Sequence, residues 1–123
     1  MKYMLLAYTS QVSWAEVDVT SAEFQAVCQF YADLGKELTE SGELVLTEGL
    51  ADPSLTRTLR KREGDVAASD GPYAEAKEVL VSFAIVDCDS HDRAMAIAAR
   101  VVDAVGDTVE VRPIMSGMPG IQE

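Results

Sequence analysis

The sequence is short of the residues on which most catalytic and binding chemistry rests. It has one histidine, His91, in 123 residues. A Ser–His–Asp arrangement therefore has no evident nucleophile partner to assemble around. The two cysteines, Cys28 and Cys88, are sixty positions apart and form no CxxC pair. With one histidine, two separated cysteines and scattered carboxylates, no metal-ligand spacing is present. Each cysteine lies in an apolar run, so both read as buried, reduced thiols rather than a disulfide. Positive charge is scarce as well. Ten Lys and Arg face twenty-one Asp and Glu, a net charge of −11, which excludes the clustered cationic surface that a phosphate backbone requires. Arg57, Arg60, Lys61 and Arg62 are basic neighbours, but they alternate with other residues as one solvated strand face does. No hydrophobic run approaches a membrane span. The apolar start, Met4 to Tyr8, is too short for a secretory core and lacks a small-residue cleavage site, so it reads as a buried first strand and the expected location is cytoplasmic. No glycine-rich loop joins a strand to a helix, because Gly117-Met118-Pro119-Gly120 falls in the tail. No nucleic acid, membrane, metal or cofactor is expected.

What is present is a core. Hydrophobic residues make up 48% of the chain, enough for one domain that folds without staples. Lys2 to Tyr8 reads as a strand that is apolar on both faces, with Leu5 and Ala7 on one side and Met4 and Leu6 on the other. A loop carrying Ser13 and Trp14 follows. Thr20 and Glu23 have capping-box spacing and open a helix. Its stripe is Phe24, Val27, Cys28, Tyr31, Leu34 and Leu38, and Ser41-Gly42 ends it. Glu43 to Leu50 is the second strand, with Leu44, Leu46 and Glu48 on one face. Thr56 to Arg62 and Asp65 to Ser69 form a hairpin through Glu63-Gly64. Asp70-Gly71-Pro72-Tyr73 punctuates the chain before the apolar strand Val79 to Val86. A second helix starts at Asp89-Ser90, buries Ala94, Ile97, Ala98, Val101, Val102 and Val105, and stops at Gly106. Thr108 to Ile114 is the last strand. The domain spans residues 1–115, and residues 116–123 form a loose tail.

This order, β-α-β, a hairpin, then β-α-β, is the ferredoxin-like α+β plan with an added hairpin. The apolar strands carry a further expectation. Val79, Val81, Phe83 and Ile85 read as one face and Leu80, Ala84 and Val86 as the other. Leaving either face wet exposes a large apolar patch, so the protein is expected to form a homodimer, sheet against sheet.

The start Met1-Lys2-Tyr3-Met4-Leu5-Leu6, the segments Gly42-Glu43-Leu44 and Glu48-Gly49-Leu50, the run Asp70-Gly71-Pro72-Tyr73-Ala74-Glu75-Ala76-Lys77-Glu78 and the close Val109 to Met115 occur in that order. Together they resemble the YCII-related proteins, in the branch named for a DGPF motif, with Tyr73 here in place of the usual Phe. The resemblance spans nearly the whole chain. It implies a dimeric α+β barrel with a ferredoxin-like protomer. Most members of this branch have no assigned reaction, and some are encoded beside extracytoplasmic-function sigma factors, which implies a regulatory setting. The wider family includes a dehydrochlorinase acting on a hydroxylated aromatic and small members with a His–Asp pair. The family histidine belongs near the start of the first helix, where Ser21-Ala22-Glu23-Phe24 has none. His91 reads instead as an exposed first-turn residue of the second helix.

The candidate site centres on the DGPY segment. Asp70 is the candidate catalytic acid–base group, against the alternative that its carboxylate closes an Asx-type turn. Gly71 and Pro72 shape the turn. Tyr73 offers a phenol or a packed ring, and Glu75 and Lys77 offer a salt bridge or ligand contacts. Glu48 and Arg112 form either an ion pair within the sheet or an anion-binding position. These residues describe a pocket between sheet and loop. Two functions stay open: a small-molecule-binding or regulatory dimer, with a sigma-factor-linked partner, and a cofactor-free enzyme of the lyase or isomerase kind acting on a polar or aromatic metabolite.

Overall fold

The computed structural model describes residues 1–71 and 77–117. Six strands and three helices run in the order β1 (Lys2–Ser10), α1 (Gln11–Ala15), α2 (Ala22–Glu40), β2 (Leu44–Gly49), β3 (Arg57–Arg62), β4 (Asp65–Asp70), β5 (Glu78–Asp87), α3 (His91–Val105) and β6 (Thr108–Pro113). Four strands form an antiparallel sheet in the order β2-β5-β1-β6. Counted without the hairpin this is 2-3-1-4, the ferredoxin-like order. The apolar start of the chain is thus a central strand. β3 and β4 pair only with each other, as a separate two-stranded ribbon. No helix among the described residues is long and apolar enough to cross a membrane.

Local chemistry sets the element ends. Ser21, not Thr20, caps α2: its Oγ accepts from the Phe24 N–H at 3.0 Å. Thr20 is drawn away because its hydroxyl and its N–H both donate to Asp18, at 2.6 and 2.9 Å. The segment with Ser13 and Trp14 is a helical turn, α1, rather than a loop. Its N-cap, Ser10, accepts from the Ser13 N–H, and the Trp14 indole donates to Asp52. At the end of α2, Gly42 takes φ +80°, the Glu43 N–H reaches Leu38 O at 2.9 Å, and the Gly42 N–H reaches Thr39 O at 3.1 Å. This pair of bonds is a Schellman termination. Glu63 and Gly64 both have positive φ, which matches the right-handed twist of the two strands they join.

The core lies between one face of the sheet and the two long helices. Tyr3, Leu5, Val86, Leu34, Leu38, Ala94, Ile97, Ala98 and Val101 are its buried members, with Cys88 beside them. Two bulges revise the expected faces. β5 pairs Ser82 with Ala7 but Leu80 with Tyr8, leaving Val81 as the extra residue. The alternation therefore shifts, and Val79, opposite Thr9, joins Ser82, Ala84 and Val86 on the helix side instead of sharing a face with Phe83 and Ile85. In β2 the bulge at Val45 puts Leu44, opposite Val86, on the helix side, and Leu46 and Glu48 on the other. The helix stripes are also narrower than expected. Only Leu34 and Leu38 of α2 are buried, Cys28 is exposed, and Val102 of α3 is 43% exposed.

Glu43, just past the Schellman turn, fixes α3 to the sheet edge. Arg93 donates to both of its carboxylate oxygens, at 2.8 and 2.9 Å, and Ser41 adds a third bond at 2.8 Å. Arg93 first, and Ser41 second, hold the Glu43 carboxyl down at about 2, against an ordinary 4.5. A carboxyl with a depressed native pKa stabilises the fold above its unfolded value and loses that contribution as pH falls through the native one. Arg93 is 39% exposed, so solvent screening cuts the full linkage value to about 1–2 kcal/mol. Glu43→Gln is expected to cost that amount at pH 7. In urea unfolding the gap between variant and native protein should close between pH 4.5 and about 2.

Candidate functional site

Among the described residues, Asp70 stands on the β3–β4 hairpin, and Glu48 and Arg112 stand on the sheet's edge strands. Asp70 ends β4 and lies opposite Arg57, whose Nε approaches its carboxylate at 2.8 Å. That carboxylate is 86% exposed, and the residues with which it would close an Asx-type turn lie outside the described residues. Gly71 has φ +88° and ties the hairpin's base: its N–H donates to Thr56 O at 2.7 Å, and its carbonyl accepts from the Thr58 hydroxyl at 2.8 Å. Lys77 is exposed just before β5. Pro72, Tyr73 and Glu75, like residues 118–123 of the tail, lie outside the described residues. Glu48 and Arg112 occupy opposite edges of the sheet, on β2 and β6, with two strands between them. At the usual strand spacing they are roughly 14 Å apart, so the expected ion pair within one sheet does not form. His91 is exposed at the start of α3, its ring 5.6 Å from that of Tyr3.

The structure also presents a cavity, and Glu48 of the expected set is among the residues that line it. A cavity of about 360 Å³ opens between α2 and the β2–β5 half of the sheet. Leu5, Leu34, Leu38, Ala84, Val86 and Ile97 are among the residues that line it. Lining from α2 comes from Tyr31, Leu34, Gly35 and Leu38, the i, i+3, i+4, i+7 face of that helix. Gly35 is unusual there. A glycine inside a helix costs about 1 kcal/mol relative to alanine. Close packing is the usual compensation, yet a Cβ built on Gly35 would meet nothing within 4 Å.

Polar groups collect at one end of this cavity. Tyr31, 37% exposed, and Ser82 both line the cavity. Burial pushes the Tyr31 phenol up and the Asp107 carboxylate adds to the shift, while the Ser82 hydroxyl opposes it. Asp107, half-buried just after α3, is itself raised, first by burial and also by Glu78, against a hydrogen bond with Thr9. Glu78 accepts from the Thr108 hydroxyl at 3.3 Å. Four elements thus meet here: the middle of α2, the end of β1, the start of β5 and the turn into β6. Among the described residues, no group of three or more His, Cys, Asp or Glu is placed to hold a metal.

Tyr31, Gly35, Ser82 and Asp107 were not singled out by sequence reasoning. Ser82 carried a signal: it is the one polar residue within Val79 to Val86. Gly35 carried another, a helix breaker on the apolar stripe of a nineteen-residue helix.

Comparison with known proteins agrees with the fold. The family model of the YCII-related domain matches residues 1–117. An uncharacterized protein of Rhizobium meliloti (strain 1021) is 32% identical over 126 residues, covering 98% of this chain and 97% of its own length. The chain therefore belongs to the YCII-related family, whose relative found here has no characterized function.

Proposed function

We propose that this protein is a small-molecule-binding dimer whose ligand sits in the cavity between α2 and the sheet. The observation that carries this reading is Gly35. The helix gives up stability at a position where a larger side chain would meet no obstacle, and the space so kept is apolar, with hydrogen-bonding groups at one end. That combination suits a ligand site, an apolar enclosure with few oriented polar groups. Within the family we place the chain in the DGPF branch, as a DGPY variant, on the run Asp70 to Glu78. The test is a thermal-shift screen of small, mainly apolar compounds. A compound at a hundred times its dissociation constant should stabilise the fold by about 2.7 kcal/mol. A library in which nothing raises the melting temperature would count against the reading.

The dimer rests on the other face of the sheet. Met4, Leu6, Phe83 and Ile85 lie side by side there on the two central strands, and each is only half-buried in a single chain. Tyr8, Glu110, Arg112 and Glu48 stand around these four on the same face, which leaves its centre apolar. A second copy packed on it would give the sheet-to-sheet arrangement that the family resemblance implies. Sedimentation at micromolar concentration should give a dimer, and Phe83→Glu, a charge in the middle of the face, should give a folded monomer. A native protein that sediments as a monomer would overturn this part of the reading.

A further inference from the structure

The charge around the cavity narrows what it can hold. No Lys, Arg or His is among its described lining residues. An anionic head would therefore meet no countercharge inside. The charges on or near it are carboxylates: Glu48 is among its lining residues, Asp107 acts on Tyr31, and Glu78 acts on Asp107. Glu78 and Asp107 come from different elements, β5 and the turn before β6, and the sheet brings them to the same end as Tyr31 and Ser82. The body of the cavity is mainly hydrocarbon, with Thr47 and Glu48 on its β2 side. A ligand that fits must bury an apolar body and present a head that accepts negative surroundings.

We infer that the cavity selects an apolar molecule bearing an amine or hydroxyl head, seated toward Tyr31, Ser82 and Asp107, and rejects the carboxylate of the same shape. This rests on the reading of the cavity as a ligand site and adds to it the chemical class of the ligand. The selection is electrostatic. In a partly desolvated site a like charge is repelled far more strongly than in water, whereas an ammonium gains from the same field. A hydroxyl is neutral and can replace water on Tyr31 and Ser82.

Three matched probes test this by calorimetry at pH 7: 2-(1-naphthyl)ethylamine, 2-(1-naphthyl)ethanol and 1-naphthylacetate. The amine and the alcohol are each expected to bind at least tenfold more tightly than the acetate. Asp107→Asn, checked for folding by its thermal melt, should shrink the amine-to-acetate ratio several-fold, since it removes a charge that acts on Tyr31. An acetate that binds as tightly as the amine, or a ratio unchanged in Asp107→Asn, overturns the ligand class and leaves the binding site standing. Binding by none of the three overturns both the ligand class and the site.

Discussion

Replacing Gly35 with leucine is expected to stabilise the protein and abolish ligand binding at the same time. The stabilisation has two sources. Leucine is a strong helix former, so removing the glycine from the interior of α2 recovers about 0.8–1 kcal/mol. The new side chain also enters the apolar space beside Leu34 and Leu38, where a Cβ has no neighbour within 4 Å to clash with. Burial of even part of a leucine adds about another 1 kcal/mol. The sum, about 2 kcal/mol, corresponds to a rise of roughly 7–8 °C in melting temperature for a domain of this size. The same side chain occupies volume that a ligand needs, so any compound that shifts the native protein should fail to shift Gly35→Leu. A protein that becomes more stable and less functional through one substitution is the pattern expected when an element is held below its stability optimum for a site. A variant that binds unchanged would place the ligand elsewhere. A variant that is destabilised would mean that the space beside Gly35 is already filled.

The opposite change, Ile97→Ala, is expected to cost about 3 kcal/mol. Ile97 is 1% exposed, sits at the centre of the helix–sheet core and also lines the cavity. Truncating such a side chain loses its transfer free energy and leaves space that close-packed surroundings refill only in part, a loss of about 2–5 kcal/mol in comparable cores. Here the new space joins an existing cavity, so relaxation is less able to close it. Urea unfolding at fixed protein concentration should show a lower midpoint with an unchanged slope. The enlarged cavity should also admit bulkier ligands than the native one. A cost under about 1 kcal/mol would place Ile97 outside the true core.

Much of the fold was legible because it is written in local chemistry. Glu63-Gly64 marks a hairpin turn by its need for positive φ, and Gly42 and Gly106 stop helices for the same reason. The long apolar stripe of α3 found its core face at Ala94, Ile97, Ala98 and Val101. What escaped depends on relations between elements. The bulges at Val81 and Val45 arise from pairing with a neighbouring strand, and a single strand's alternation does not encode where an extra residue will fall. Without them, Val79 and Leu44 were assigned to the wrong faces, and the order that puts Glu48 and Arg112 on opposite edges of the sheet is written in neither strand alone. Cys28 failed for a related reason. A stripe says that a helix face is apolar, not how far the sheet beneath it extends. The site was the least legible part, since Tyr31, Gly35, Ser82 and Asp107 stand on three separate stretches of chain. Each has an ordinary reading alone, and only the sheet order brings them together. The DGPY run was the clearest motif, yet Asp70 at its head lies on the hairpin, paired with Arg57.

The measurement that tests the central claim most directly is xenon binding followed by amide chemical shifts in the isotope-labelled protein. Xenon enters open apolar cavities and needs no polar contact. If the space between α2 and the sheet is an accessible binding cavity, xenon pressure should move the amides of Gly35, Leu38, Ala84 and Val86 along saturable curves, and Gly35→Leu should lose those shifts. If those amides stay fixed while the protein is saturated with xenon, the cavity is closed in solution and the account fails.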